Sequence, residues 1–355
     1  MDNVIQVPNL DTTHTLRFAN SICKFDLTDK TDMSFDVSNL SWAEPFGMLM
    51  AACAIKQMRS KWPNVLFHIV GSQSALNTNQ GSSYAAQMGF YSAISDKLHI
   101  GKEVGELTGN DNYIPITELD FKKIEREEFF ANSICNKQEA IDQRARTLAN
   151  VLCRNNYQMK SIMSYIIREI LRNIPEHAQS QKALMCAQYW PNKRFAEIAI
   201  LDEGIGICAS FQQNPRFKGL IKNDKEAVSY AIQPGVSCTF DPMKNYNNEH
   251  DNPWQNSGFG LYTVHELAKN LKGSFCIVSG KGYLSCDYSN KNFPVSYKGE
   301  TFLQGTAIKI GFSEDDLINS EEMLNDIVEK GEKEAKKIKN AFVKASPPSK
   351  NISNK

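Results

Sequence analysis

The chain has 355 residues, enough for two domains at about 150 residues each. Lys+Arg and Asp+Glu stand at 40 each, so the net charge is zero and a general nucleic-acid coat, which needs a strong basic excess, is disfavoured. Nine scattered cysteines with no CxxC pair argue against a zinc knuckle or redox motif and for free thiols in a reduced, cytoplasmic setting. No basic-then-apolar leader is read in the first residues, and the longest apolar run, Phe46–Ile55, is far short of the roughly 20 residues that cross a bilayer.

In chain order, Ser34–Val37 reads as a strand and Phe46–Met58, rich in Ala and Met, as a buried helix. Val65–Val70 is β-rich and ends at Gly71; Ser82–Ile94 reads as a second amphipathic helix. This alternation predicts a small helix-backed α/β unit over 1–125. Residues 111–135 read as a connector with a short strand, Ile116–Phe121. A connecting helix is expected over 126–154, where Ile141, Ala145, Leu148 and Leu152 share one face; that stripe suits core packing or a homodimer seam.

A second unit is expected over 155–312. Ser161–Asn173 carries an apolar helical face, and Glu169 and Asn173, four apart, share another side. A carboxylate there can orient or deprotonate a water, and an amide oxygen one turn on can ligate Mg²⁺. Phe195–Leu201 is a strand that delivers Asp202 to its end, with Gly204 and Gly206 after it. Asp224–Ile232 is a helix, and the polar stretch that follows has the length of a lid or binding loop. Ser257 and Gly258-Phe259-Gly260-Leu261 lead into the helix Tyr262–Leu271; a glycine turn at a helix start presents backbone N–H groups to phosphate. Strands are expected at Ser274–Ser279 and Gln304–Ile310, the second opened by Gly305-Thr306. The tail, 313–355, reads as a charged helix that Ser313 and Asp316 could cap, then a basic end with seven lysines and two glutamates after residue 330.

The four motifs Glu169-Ile170-Leu171-Arg172-Asn173, Asp202-Glu203-Gly204-Ile205-Gly206, Gly258-Phe259-Gly260-Leu261 and Gly305-Thr306 resemble, in this order, the ATP site of the GHKL superfamily of gyrases, heat-shock chaperones and histidine kinases. The resemblance implies a Bergerat-type α/β sandwich with a mixed sheet, ATP and Mg²⁺ as ligands, and a lid over 244–257. It implies Glu169 as general base, Asn173 as Mg²⁺ ligand and Asp202 as acceptor of the adenine amino proton, supported by Thr306. Gly204, Gly206, Ser257, Gly258, Gly260 and Leu261 would complete the nucleotide contacts, and His177 either reaches a phosphate or is satisfied by carbonyls at the helix end. Asn173-Ile174-Pro175-Glu176-His177-Ala178 looks most like the anti-sigma-factor kinase branch, although Pro175 should kink or end the helix. A second, weaker similarity joins 35–50 to the STAS fold of anti-sigma-factor antagonists, without the serines of that family's turn.

Three functions follow as expectations: a Mg²⁺-dependent ATPase acting as a conformational switch, a serine/threonine protein kinase with a protein substrate, or a nucleotide-gated binding module without turnover. A protein partner is expected, and a membrane is not.

Overall fold

The computed structural model describes residues 3–95, 112–153, 156–237, 257–290, 292–317, 319–346 and 350. Its N-terminal unit is built on three short parallel strands, β1 (Val4–Gln6), β2 (Asp32–Asp36) and β3 (Leu66–Val70), ordered β1-β2-β3. Two helices connect them, α1 (Thr12–Ile22) and α2 (Pro45–Lys61). The Asp11 side chain caps α1, and Pro45 opens α2 at a position where its missing N–H costs nothing. β1 and α1 lie ahead of the first element read from sequence. The helix expected over Ser82–Ile94 is instead two, α4 (Gln80–Gln87) and α5 (Phe90–Ile94), after the short α3 (Ser72–Thr78); Gly89, at φ 81°, breaks the run.

The second sheet holds five strands in the order β4-β5-β6-β8-β7: β4 (Tyr113–Asp120), β5 (Lys182–Trp190), β6 (Phe195–Asp202), β7 (Ser274–Asp287) and β8 (Val295–Ser313). All its pairings are antiparallel, where a mixed sheet was expected. β4 was expected inside the first unit; it pairs with β5 and forms an edge of this sheet. The connector beyond it is two helices, α6 (Phe121–Asn132) and α7 (Lys137–Leu152). Ile141, Ala145, Leu148 and Leu152 of α7 are buried against α8 (Tyr157–Asn173) within the chain, so the stripe is core. β7 and β8 run well past the expected strands because they form one long hairpin.

Side chains alternate across these strands. On β6 and β8, Ile198, Ile200, Ile308 and Ile310 face the helical layer of α7, α8 and α11 (Gly260–Asn270). Ala199, Leu201 and Ala307 face the other way and pack with α1 and α2 of the N-terminal unit. The sheet is thus covered on both faces. The second cover is pinned by ions: Lys309 Nζ reaches Glu197 at 3.0 Å and Glu44 at 3.3 Å and donates to Thr12 Oγ1 at 2.9 Å, while the other Glu197 oxygen accepts from the Phe46 N–H at 3.0 Å.

Two further helices flank the cavity described below, α9 (Ile207–Gln213) and α10 (Asp224–Ala231). In the tail, Ser313 caps only the 3-10 turn Glu314–Asp316; the helix α12 (Ser320–Ala335) starts later, capped by Asn319. Lid residues 244–256 lie outside the described residues. Among the described residues, no helix is long and apolar enough to cross a membrane.

Candidate functional site

α8 starts when Asn156 accepts the Met159 N–H at 3.0 Å, and it ends in a π turn, Ile174–Ala178. Pro175 sits in that turn. A residue without an N–H cannot continue an α-helical ladder, and the wider turn absorbs the mismatch. Gln179 then reverses the chain at φ 55°. The turn carries Ala178 onto the loop after β6, where the Ala178 carbonyl accepts from the Ile205 N–H at 2.9 Å. A Cβ on Gly204 would lie 2.1 Å from that carbonyl oxygen, so the close approach requires glycine.

One cavity lies between α8, the ends of β6 and β8, α9 and the start of α11. Ile170, Ile174, Ile200, Ile207, Leu261 and Ile308 give it apolar walls. Eight of the eleven residues singled out in the sequence line it: Asn173, His177, Asp202, Gly206, Gly258, Gly260, Leu261 and Thr306. Asp202 and Thr306 are direct register partners on β6 and β8, which places both side chains on the cavity face. Asp202 is 5% exposed. Its Oδ1 accepts from the Gly204 N–H at 2.8 Å. Burial pushes its carboxyl up to about 6, against the N–H groups of Gly204 and Thr306, which pull it down. His177 lines the cavity, and burial holds its imidazole down to about 4, so the ring is neutral at pH 7. Gly258, at φ 73°, turns the chain toward α11, and a Cβ there would lie 2.5 Å from the Val236 carbonyl.

Three of the expected residues stand apart from the lining. Gly204 supports the loop from behind, as above. Ser257 is buried against the tail, where its Oγ bonds the Ser346 hydroxyl at 3.2 Å and accepts the Ser346 N–H at 2.9 Å. That hydroxyl is held by the tail, outside the cavity lining. Glu169 is buried beside the cavity: Nε and Nη2 of Arg168 donate to its Oε1 at 3.1 and 2.9 Å, and its Oε2 is 2.3 Å from where a Cβ on Gly260 would stand. The carboxylate therefore sits against the first turn of α11, whose amides have no side-chain cap, but an arginine holds it. The chain matches no protein-family model and no curated protein.

Sequence reasoning missed Ser279. Its Oγ accepts from the Ile207 N–H at 2.8 Å, donates to the Gly305 carbonyl at 3.1 Å and lies 3.2 Å from Thr306 Oγ1. It ties the start of α9 to Gly305-Thr306 at the bulge of β8. Ser279 pairs with Thr306 across the hairpin, so the signal was its place at the end of the expected strand opposite that threonine. Gln57 of α2 was missed too: its amide donates to the Gln304 carbonyl and accepts the Gln304 N–H, both at 3.0 Å. Lys56 forms an ion pair with the Glu203 side chain, just beyond the end of β6. The N-terminal unit thereby touches the chain next to both Asp202 on β6 and Thr306 on β8.

Proposed function

We propose that this chain binds ATP with Mg²⁺ in the cavity beside α8 and hydrolyses it as a nucleotide-driven conformational switch. One observation carries the reading: Asn173, Asp202, Gly258 and Thr306, which come from four motifs far apart in sequence, line one cavity. The chemistry of the lining suits that ligand. Asp202 offers an acceptor at the end of an apolar slot of isoleucines, the surroundings a purine needs if one edge is to be read by a hydrogen bond. The glycines at 206, 258 and 260 keep side chains out of the path. Asn173 would give one amide oxygen to Mg²⁺, which keeps several waters and takes phosphate oxygens for the rest. Bound ATP–Mg²⁺ supplies the γ-phosphate and the charge neutralisation of phosphoryl transfer. The chain's part is to orient the purine through Asp202 and Thr306 and, through Glu169, to take a proton from the attacking water.

The pairing of Glu169 with Arg168 favours a second reading, a nucleotide-gated binding module with negligible turnover. Radiolabelled γ-phosphate release by the purified chain, with Glu169→Ala as control, separates the two. Release that the variant loses supports the switch; ATP binding without release supports the module. Label on a protein would instead point to a kinase, and absence of ATP binding would end the nucleotide reading.

A further inference from the structure

Beyond α12, the chain crosses the two segments that carry Val236 and Gly258 to the cavity. Lys336, Lys337, Lys339 and Lys344 are exposed there, while Ile338 and Ala341 pack inward against the cluster of Phe211, Phe217 and Val236. Asn340 turns the chain at φ 68°, and its Nδ2 donates to the Arg216 carbonyl at 2.9 Å. The Phe342 N–H then donates to the Gly235 carbonyl at 2.7 Å. A Cβ on Gly235 would stand 2.1 Å from the Phe342 carbonyl oxygen, so this approach requires glycine. Four residues on, Ser346 meets Ser257, and both are buried. The Ser346 N–H donates to Ser257 Oγ at 2.9 Å, and that hydroxyl donates to Ser346 Oγ at 3.2 Å. The two crossed segments are also joined to each other, the Gly235 N–H donating to the Gly258 carbonyl at 3.2 Å. The tail is tied back to α12, where Glu332 Oε1 accepts the Ala345 N–H at 3.0 Å. α12 in turn packs on α11: a Cβ on Gly331 would stand 2.5 Å from the Tyr262 ring.

We propose that residues 338–346 are an intramolecular strap that positions the Ser257-Gly258 segment of the cavity, attached at Gly235 through Phe342 and at Ser257 through Ser346. The proposal rests on the nucleotide reading above and adds a control on that site. Gly258 stands just ahead of the first turn of α11, whose backbone N–H groups would face the phosphates in that reading. With the strap seated, the segment is ordered before a ligand arrives; with it released, that ordering is met on binding and affinity falls. Coupling of this kind is reciprocal, so a bound nucleotide must also tighten the strap.

Ser346→Pro is the main test, because it removes the N–H and the hydroxyl together and lies outside the cavity lining. Hydrogen exchange of the nucleotide-free chain should quicken about tenfold over residues 257–263 and 338–346, with α7 and α8 unchanged as the control for folding. Ser346→Ala keeps the N–H, should move exchange the same way by less, and carries the test should the proline variant loosen α7 and α8. By calorimetry, the Kd for ATP should rise about fivefold in Ser346→Pro. In the wild type, a bound non-hydrolysable ATP analogue should slow exchange of 338–346, a response that a purely structural tail would not give. Unchanged exchange over 257–263 in Ser346→Pro would overturn the proposal, as would wild-type affinity in that variant or a tail indifferent to the bound analogue. Should the wild-type chain bind no ATP while Ser346→Pro still loosens 257–263, the nucleotide reading fails and the strap stands.

Discussion

The two faces of the five-stranded sheet solve the same burial problem in opposite ways. On the face toward α1 and α2, the buried charges are closed into a network: Lys309 meets Glu197, Glu44 and Thr12, and Glu197 also takes the Phe46 N–H. On the face toward α8 and α11, burial moves titratable groups from their ordinary ionisation. Asp202 is pushed up to about 6 and His177 is held down to about 4, and among the described residues neither oxygen of Asp142 has a hydrogen bond. A satisfied network stabilises and fixes geometry, whereas groups held away from their ordinary ionisation are what a binding or catalytic site needs. The contrast locates function on the helical face and attachment on the other.

The largest effect should come from breaking the satisfied face. Lys309→Met leaves Glu197 and Glu44 without their cation in a buried interface, and urea unfolding should show a loss of about 3–5 kcal/mol. Burial alone would lower the Lys309 ammonium, but the two glutamates hold it up, so the native charge state is the ion pair. A loss below about 1 kcal/mol, the range of exposed pairs, would mean that water reaches the cluster and that the two faces differ less than argued.

The helical face should respond with the opposite sign. Asp202 has its folded pKa raised from 3.8 to about 6, so the folded state favours the protonated acid. Its ionisation costs nothing below about pH 4, and the full penalty is reached above about pH 6; at neutral pH it amounts to about 3 kcal/mol at most. Asp202→Asn removes that penalty and should raise the melting temperature of the nucleotide-free chain at pH 7. The same change should weaken ATP binding about 10–100-fold, the worth of a hydrogen bond to a charged acceptor. A variant both less stable and unchanged in affinity would take Asp202 out of the site.

His177 gives a smaller, pH-dependent effect. Its folded pKa is depressed from 6.5 to about 4, so the unfolded chain binds the proton first as pH falls. Stability should therefore drop between about pH 6.5 and 4, by about 2 kcal/mol from this residue between pH 7 and 5. His265 on α11, hydrogen-bonded to Tyr288 at 2.8 Å, is depressed to about 4 as well and adds its own share. Asp202 and Asp142, both raised to about 6, contribute with the opposite sign in the same window, so the test is the difference between chains: His177→Phe should remove about 2 kcal/mol of acid-side loss between pH 7 and 5 relative to the wild type, as followed by denaturation midpoints.

The legible part of the site was the part written in strand parity and helical spacing. Asp202 ends an apolar strand and Gly305-Thr306 opens another; only the GHKL resemblance brought the two together, and the register makes them direct partners. Asn173 follows from its place on α8. Glu169 was legible as a position and not as an environment, because Arg168 is its chain neighbour and nothing local says which acid a buried guanidinium will choose. The surroundings of Ser257 were hidden for a similar reason: its partner, Ser346, lies in the tail, and no spacing rule reaches that far. In the fold, β4 escaped assignment to the second sheet because a strand names neither its partner nor its sheet. Parallel β1-β2-β3 was partly legible in the strand–helix alternation, but β1 is only three residues long and too short to show a period.

The smallest effect tests whether the two faces communicate at all. Gln57 binds the Gln304 backbone twice, two residues ahead of Thr306, and both bonds are solvent-accessible. Gln57→Ala should cost about 1 kcal/mol, since water replaces each lost bond at little net expense. The consequence for the cavity is more telling than the stability. If α2 holds the Gln304-Gly305-Thr306 bulge of β8 in place, ATP affinity should fall about two- to threefold, because part of the bulge's ordering must then be met on binding. Equal affinity for wild type and variant, measured by calorimetry, would mean that the Asp202–Thr306 register and the Ser279 hydroxyl alone fix the bulge. The N-terminal unit would then be an attachment on the closed face, without a hold on the open one.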